Sequence, residues 1–266
     1  MSNYLNEFEI DISKDFLNNG FIIKKIDNKK LLDKIRNKIF QLSLIKGKYN
    51  EGIKEDYWLN NIHTKVSENE INDYRVKIIN SMNADKDFKK LYFEISKNYL
   101  EILVGNELVM QKRINLSIQL PNDTSSLLPV HADTWAGDSA YEIVVWIPLV
   151  NCFKTKTMFI LPQNKATNLN NNFKEIIGNN AESLFQNIKN DIKWLDINYG
   201  EVLLFNQSLP HGNRVNVESE TRWSMNCRFK GIFTPYADKK LGEFFEPITL
   251  RAASEIGMSY QMPKTS

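Results

Sequence analysis

The chain has 266 residues, with 34 Lys and Arg against 32 Asp and Glu, a formal net charge of +2 at pH 7. That balance gives no general electrostatic case for nucleic acid or an anionic membrane surface as partner, and no apolar run reaches transmembrane length. Two cysteines without metal-type spacing argue against a disulfide framework, and the N-terminus lacks a basic start followed by an apolar run, so a soluble cytoplasmic protein is expected.

In chain order, residues 11–20 read as a short helix closed by Gly20, and Phe21-Ile22-Ile23 as a strand. Leu31, Leu32, Ile35, Ile39 and Leu42 recur at helical spacing, with basic residues on the opposite face. Residues 46–65 contain Gly47, Gly52, Tyr49, Tyr57 and Trp58 without a period, and a loop is expected. His63 lies there without ligand partners and reads as a surface or packing histidine. Helices are expected over 70–81 and 85–104, ending at Gly105, so that 1–106 form a mainly helical layer.

Residues 107–232 read as a β-rich core. Over 108–120, Gln111, Arg113, Asn115, Ser117 and Gln119 share one face and Met110, Ile114, Leu116, Ile118 and Leu120 the other. Such a polar face either meets solvent or lines a wet pocket. A turn-rich stretch, 121–128, leads to His131-Ala132-Asp133, and Trp135 follows as a rim-packing residue or a substrate platform. Strands are expected over 141–149 and 156–161. A polar helical insertion over 166–190 is either a lid or a solvated excursion. A buried strand over 202–205 then leads to His211, where Gly212 is expected to let the backbone turn sharply. From 222 to 230, Arg222, Ser224, Asn226, Arg228 and Lys230 alternate with Trp223, Met225, Cys227 and Phe229. The extension 233–266 reads as loop with a helix near 248–256 that covers the core or forms a dimer contact. Monomer and homodimer both stay open.

The chemistry centres on three of these residues. In an extended segment, residues two apart point the same way, so His131 and Asp133 reach one metal ion while Ala132 turns away. Two imidazoles and one carboxylate, completed by His211, are the facial triad of non-haem Fe(II), which leaves the opposite positions open. Arg222, eleven residues past His211, is aimed into the same cavity.

Together, His131-x-Asp133, His211 and Arg222 resemble the Fe(II)- and 2-oxoglutarate-dependent oxygenases, and among them the phytanoyl-CoA dioxygenase-like branch that includes ectoine hydroxylase. Gln111-Lys112-Arg113-Ile114-Asn115 resembles the Gln-x-Arg-Ile-Asn strand of that branch, and the likeness runs from about Phe16 to Lys230. The resemblance implies a single oxygenase domain over 1–266, with a double-stranded β-helix (jelly-roll) core and helices packed on one sheet. It implies Fe(II) on His131, Asp133 and His211, 2-oxoglutarate with its distal carboxylate on Arg222, and O2 at the remaining position. Succinate, carbon dioxide and a hydroxylated substrate would be the products. Gln111, Asn115, Ser224 and Thr157 become further cosubstrate candidates, and Arg113, Trp135 and Arg228 substrate candidates. Halogenating relatives carry Ala or Gly where Asp133 stands, so hydroxylation is expected. Many relatives have Asn-Gly-Xaa-Leu and Gly-Ser-His phrases where this chain has Thr155-Lys156-Thr157-Met158 and Gln163-Asn164-Lys165, which marks a divergent subfamily.

Arg113, Arg228 and Lys230 on inward polar faces point to a small anionic substrate. A likeness to oxygenases of bacterial carbohydrate clusters points to a sugar or activated sugar in polysaccharide or natural-product assembly. An amino-acid-type hydroxylase, a cupin-like metal isomerase and a non-catalytic sugar-binding jelly roll are the alternatives.

Overall fold

A computed structural model describes residues 4–264. The N-terminal stretch read for a leader begins in residues 1–3, and the expected extension ends in 265–266; both pieces lie outside the described residues. Among the described residues no helix is long and apolar enough to cross a membrane.

The helical layer begins with α1 (Glu7–Asn19), which starts earlier than its apolar pattern indicates. Asn6 accepts from the Glu9 amide while Glu9 accepts from that of Asn6, a capping box that fixes the start. The helix ends at Gly20, whose φ of 76° suits glycine. β1 (Phe21–Lys25) and α2 (Lys29–Ser43) follow as expected. Residues 46–65 depart from the expected loop: they carry α3 (Glu55–Asn60) and a 3-10 turn at Ile62–Thr64. Six residues are too few to display a period, yet Trp58 and Leu59 are buried and the Leu59 carbonyl accepts from the Trp223 indole at 2.8 Å. α4 (Ile71–Ala84) and α5 (Lys86–Leu103) complete the layer.

The strands are β2 (Leu108–Gln111), β3 (Asn115–Gln119), β4 (Glu142–Pro148), β5 (Phe159–Ile160), β6 (Lys193–Trp194), β7 (Glu201–Asn206), β8 (His211–Gly212), β9 (Arg222–Gly231) and β10 (Phe245–Thr249). One antiparallel sheet runs β1-β7-β4-β9-β2-β10, with β3 also on β9; a second runs β6-β5-β8. The fold is thus mixed α/β with antiparallel sheets. On the outer face of β9, Trp223, Met225, Cys227 and Phe229 are fully buried. Phe229 stacks on Tyr92 of α5 at 6.5 Å, and the Tyr92 hydroxyl donates to the Val145 carbonyl. Burying each of these side chains stabilises the contact by about 2 kcal/mol, so the helices ride on this face and the opposite face is left to line a cavity.

Several expectations need correction. The strand over 108–120 is broken: Met110 to Asn115 covers five steps where Phe229 to Asn226 on β9 covers three. The surplus residues leave the ladder as a bulge. The strand over 156–161 shortens to β5, preceded by a 3-10 turn at Lys154–Lys156. The insertion is three helices, α6 (Gln163–Asn171), α7 (Phe173–Ile176) and α8 (Ala181–Ile188). The C-terminal segment carries the edge strand β10 before α9 (Ala252–Ser259).

Gly212 makes no turn and sits in β8. It is needed for close approach: a Cβ there would lie 2.7 Å from the Leu128 carbonyl oxygen and 3.1 Å from that of Pro129. Backbone cannot yield as a side-chain tip can. Gly212→Ala should therefore cost about 1–3 kcal/mol, read as a lower thermal midpoint. An unchanged midpoint would contradict this packing.

Candidate metal centre and its cavity

His131 and His211 face each other across an isolated antiparallel bridge. The His131 amide donates to the His211 carbonyl at 3.0 Å, and the His211 amide returns to that of His131 at 2.8 Å. This pairing sets the two imidazoles on one side, with ring centroids 4.4 Å apart. Asp133 opens a 3-10 turn (Asp133–Ala136), and its amide donates to the Gln207 carbonyl at 3.0 Å, which ties it to the approach to His211.

Each imidazole is oriented by its own backbone. Nδ1 of His131 lies 2.8 Å from the Pro129 carbonyl oxygen, and Nδ1 of His211 lies 2.8 Å from that of Leu209. A carbonyl only accepts, so each Nδ1 carries the proton and each Nε2 presents a lone pair. One ligand atom from each of His131, Asp133 and His211 falls within 4.8 Å of the others. The His131 Nε2 and an Asp133 oxygen stand 3.5 Å apart. Three electron-rich atoms converging on one point repel one another unless a cation lies between them.

The ionisation of the groups carries the same signal. Burial opposes the charge of Asp133, but the His131 hydrogen bond, the neighbouring His211 and the Arg228 guanidinium outweigh it and hold the carboxyl at about 2. Burial also opposes the cation of His131, but Asp133 beside Nε2 outweighs it and raises the imidazole, so a metal ion would take the place of a proton at that nitrogen. His211 is pushed down to about 4, first by burial and then by His131, so it is a neutral ligand at physiological pH.

The triad stands in a cavity of about 380 Å³ between the two sheets, within the range of small-molecule sites. The inner face of β9 supplies Arg222, Ser224, Asn226 and Arg228 to its wall, and β3 supplies Asn115 and Ser117. Arg222 is buried; its Nη1 donates to the Thr157 carbonyl and its Nη2 to the Ser117 hydroxyl, both at 2.9 Å, while Nε has no partner among the described residues. Burial lowers this guanidinium to about 10, still charged at neutral pH. The Ser224 hydroxyl beside it is likewise buried and unpartnered. An acidic terminus would satisfy both orphaned groups, so the residues present fit a metal-bound dicarboxylic acid.

The other sequence candidates divide. Asn115 lines the cavity, with its side chain donating to Asn226 at 2.9 Å. Arg228 lines it too, but it is committed: Nη2 lies 2.9 Å from Asp133 and Nε 3.5 Å from Asp138. Gln111 is buried behind the wall, where its side-chain oxygen accepts from Arg228 Nη1 at 3.2 Å. Thr157 does not line the cavity and touches Arg222 through its carbonyl. Arg113 departs from expectation: the bulge carries it to the exposed surface, where it donates to Asn80 at 2.7 Å. Trp135 also stays outside the cavity wall, 41% exposed and edge-on to Phe173 of α7 at 5.2 Å. Lys230, expected inward, is buried elsewhere and donates to the Gly231 and Thr234 carbonyls. His63 packs, with Nδ1 3.0 Å from the Thr221 hydroxyl.

Sequence reasoning missed Arg75, which reaches the cavity from α4. On a helix otherwise read for its apolar stripe, one more basic residue carries no signal. Asn226 was visible on the alternating face of β9 and was not singled out.

No protein-family model and no curated protein matches the sequence. Solved structures do. ThoJ, a non-heme monooxygenase described as a nickel complex, is similar over 90% of this chain and 84% of its own, with TM-score 0.56 and 12% identity. SnoK, a non-heme alpha ketoglutarate dependent carbocyclase from nogalamycin biosynthesis, covers 92% of this chain and 97% of its own, with TM-score 0.55 and 14% identity. HygX from Streptomyces hygroscopicus, with nickel and 2-oxoglutarate bound, covers 89% and 90%, with TM-score 0.52 and 11% identity. At these identities the likeness is one of fold, and the mixed α/β arrangement with antiparallel sheets is consistent with the jelly-roll-like core of these proteins.

Arg228 balances two buried carboxylates, so removing it should be costly. Arg228→Met is expected to destabilise the protein on the order of 3 kcal/mol in denaturant titrations and to loosen the metal centre through Asp133. A loss below about 1 kcal/mol would mean the pair is solvent-screened.

Proposed function

We propose that this chain is an Fe(II)- and 2-oxoglutarate-dependent oxygenase with a double-stranded β-helix core, acting on a small polar or anionic metabolite. One observation carries the reading: two imidazoles locked by their backbone and one carboxylate converge at a cavity wall whose neighbouring strand holds a buried arginine with no carboxylate partner among the described residues. An N,N,O set on one face suits Fe(II) with open positions. Arg222 supplies the planar fork that recognises a carboxylate in bidentate fashion.

In this reading His131, Asp133 and His211 would hold the metal, and Arg222 with Ser224 would receive the distal carboxylate of 2-oxoglutarate. When bound, iron with 2-oxoglutarate and O2 would supply oxidative decarboxylation to succinate and carbon dioxide, one oxygen atom of O2 going to succinate and the other to the substrate C–H bond. The chain's own part is to orient and to exclude water. The Pro129 and Leu209 carbonyls fix the imidazole tautomers, and Arg228 offsets the charge of Asp133. Val144, Trp146, Met158 and Phe205 give the remaining wall its apolar character. Asp133 as a ligand favours hydroxylation over halogenation.

The phytanoyl-CoA dioxygenase-like branch is supported by the Gln111 to Asn115 phrase and by the likeness of the N-terminal helix, strand and helix, although Gln111 serves Arg228 rather than the cavity. A natural-product or polysaccharide setting rests on fold analogy.

Anaerobic addition of Fe(II) and 2-oxoglutarate should give the weak visible charge-transfer band of the chelate in the wild type and none in His131→Ala. Arg222→Gln should keep metal binding and weaken 2-oxoglutarate tenfold or more, the loss of a charge-assisted pair of about 1.5–3 kcal/mol. Metal binding without a band would favour a cupin-like isomerase instead.

A further inference from the structure

The cavity carries more positive charge than metal and cosubstrate use. Its wall holds three guanidinium groups, Arg75, Arg222 and Arg228, and one carboxylate, Asp133. On the oxygenase reading above, which this inference rests on, Asp133 and 2-oxoglutarate bring three negative charges, and the Fe(II) ion and Arg222 cancel them. Arg228 is matched by Asp138, 3.5 Å away. Arg75 is left over.

Its geometry suits a binding group. Arg75 projects from α4 past the edge of β3, half-buried beside the exposed Ser125 and Leu127. One nitrogen anchors it: Nη2 donates to the Ile118 carbonyl at 2.8 Å and to the Ser126 hydroxyl at 2.6 Å. Among the described residues Nε and Nη1 have no hydrogen-bond partner and Arg75 has no ion pair. The carboxylate that attracts it, Asp123, makes no direct hydrogen bond to it, its oxygens being occupied by the Ser125 amide and the Ser126 hydroxyl. A planar cation held by one nitrogen, with two donor sites free, is preorganised for an oxyanion.

We infer that Arg75 is the substrate's anion anchor, and that the substrate class is a small molecule bearing one carboxylate or phosphate group, seated at the mouth of the cavity between α4 and the 121–128 segment. The anionic character expected from Arg113 and Lys230 is kept, with a different residue carrying it.

The test uses sulfate as the oxyanion probe, because it does not precipitate Fe(II). The anaerobic Fe(II) and 2-oxoglutarate complex is titrated with sulfate by calorimetry at constant ionic strength. Wild type should bind one sulfate per chain, and Arg75→Gln should weaken it about tenfold or more. Arg75→Lys, which keeps the charge and loses the fork, should recover part of that loss. In both variants 2-oxoglutarate affinity, read from the chelate band, should stay within about threefold of wild type. Circular dichroism confirms that both variants fold.

Three results would overturn the inference. Sulfate could fail to bind the loaded wild type, or bind Arg75→Gln equally well. Alternatively, Arg75→Gln could weaken 2-oxoglutarate as much as Arg222→Gln does, which would assign Arg75 to the cosubstrate. Should the chelate band never form, the oxygenase reading falls by itself; sulfate titration of the metal-free protein then decides Arg75, where a loss in Arg75→Gln upholds the anion anchor and no loss removes it.

Discussion

Two backbone hydrogen bonds, exchanged between His131 and His211, are the constraint on which the rest of the site depends. They join segments eighty residues apart and make the imidazoles neighbours before any side chain is considered. Once that bridge forms, the Pro129 and Leu209 carbonyls fall in reach of each Nδ1, and the Nε2 lone pairs must face inward. Gly212 belongs to the same constraint, because only a residue without a Cβ lets the 121–128 segment pass so close to β8. Ligand geometry here is a property of main chain as much as of side chains.

Electrostatics then divide the cavity by function. At one end carboxylate and imidazoles gather, and Arg228 keeps the uncompensated charge of Asp133 from destabilising the fold. Along β9, six residues away, Arg222 sits buried without a carboxylate partner among the described residues, an arrangement that costs stability unless a ligand answers it. The inner face of one strand thus carries a committed arginine and a waiting one. Their difference lies in what faces them: Asp133 and Asp138 for the first, a carbonyl and a hydroxyl for the second.

Much of this was legible in the sequence, for stated reasons. The alternation over 222–230 needed only the period of a strand, and β9 carries its two faces as expected. His131 and Asp133 were recognisable because a two-residue step is a same-side step. Arg113 was misplaced because a bulge is a tertiary event: nothing in Lys112-Arg113-Ile114 says that β9 offers too few partners. Lys230 obeyed the alternation and still missed the cavity, since the strand outruns the pocket and ends among the carbonyls of Gly231 and Thr234. Arg75 was invisible for the opposite reason. A helix read by its apolar stripe gives no warning that one basic side chain reaches round the edge of a sheet.

The most direct test of the centre itself is X-ray absorption at the iron edge of the anaerobic Fe(II) protein, before and after 2-oxoglutarate. Scattering from two imidazoles is expected in both states, with new light-atom scatterers from the acid replacing solvent and the imidazole number unchanged. A single imidazole, or a spectrum that 2-oxoglutarate leaves untouched, would contradict an open His131, Asp133 and His211 centre.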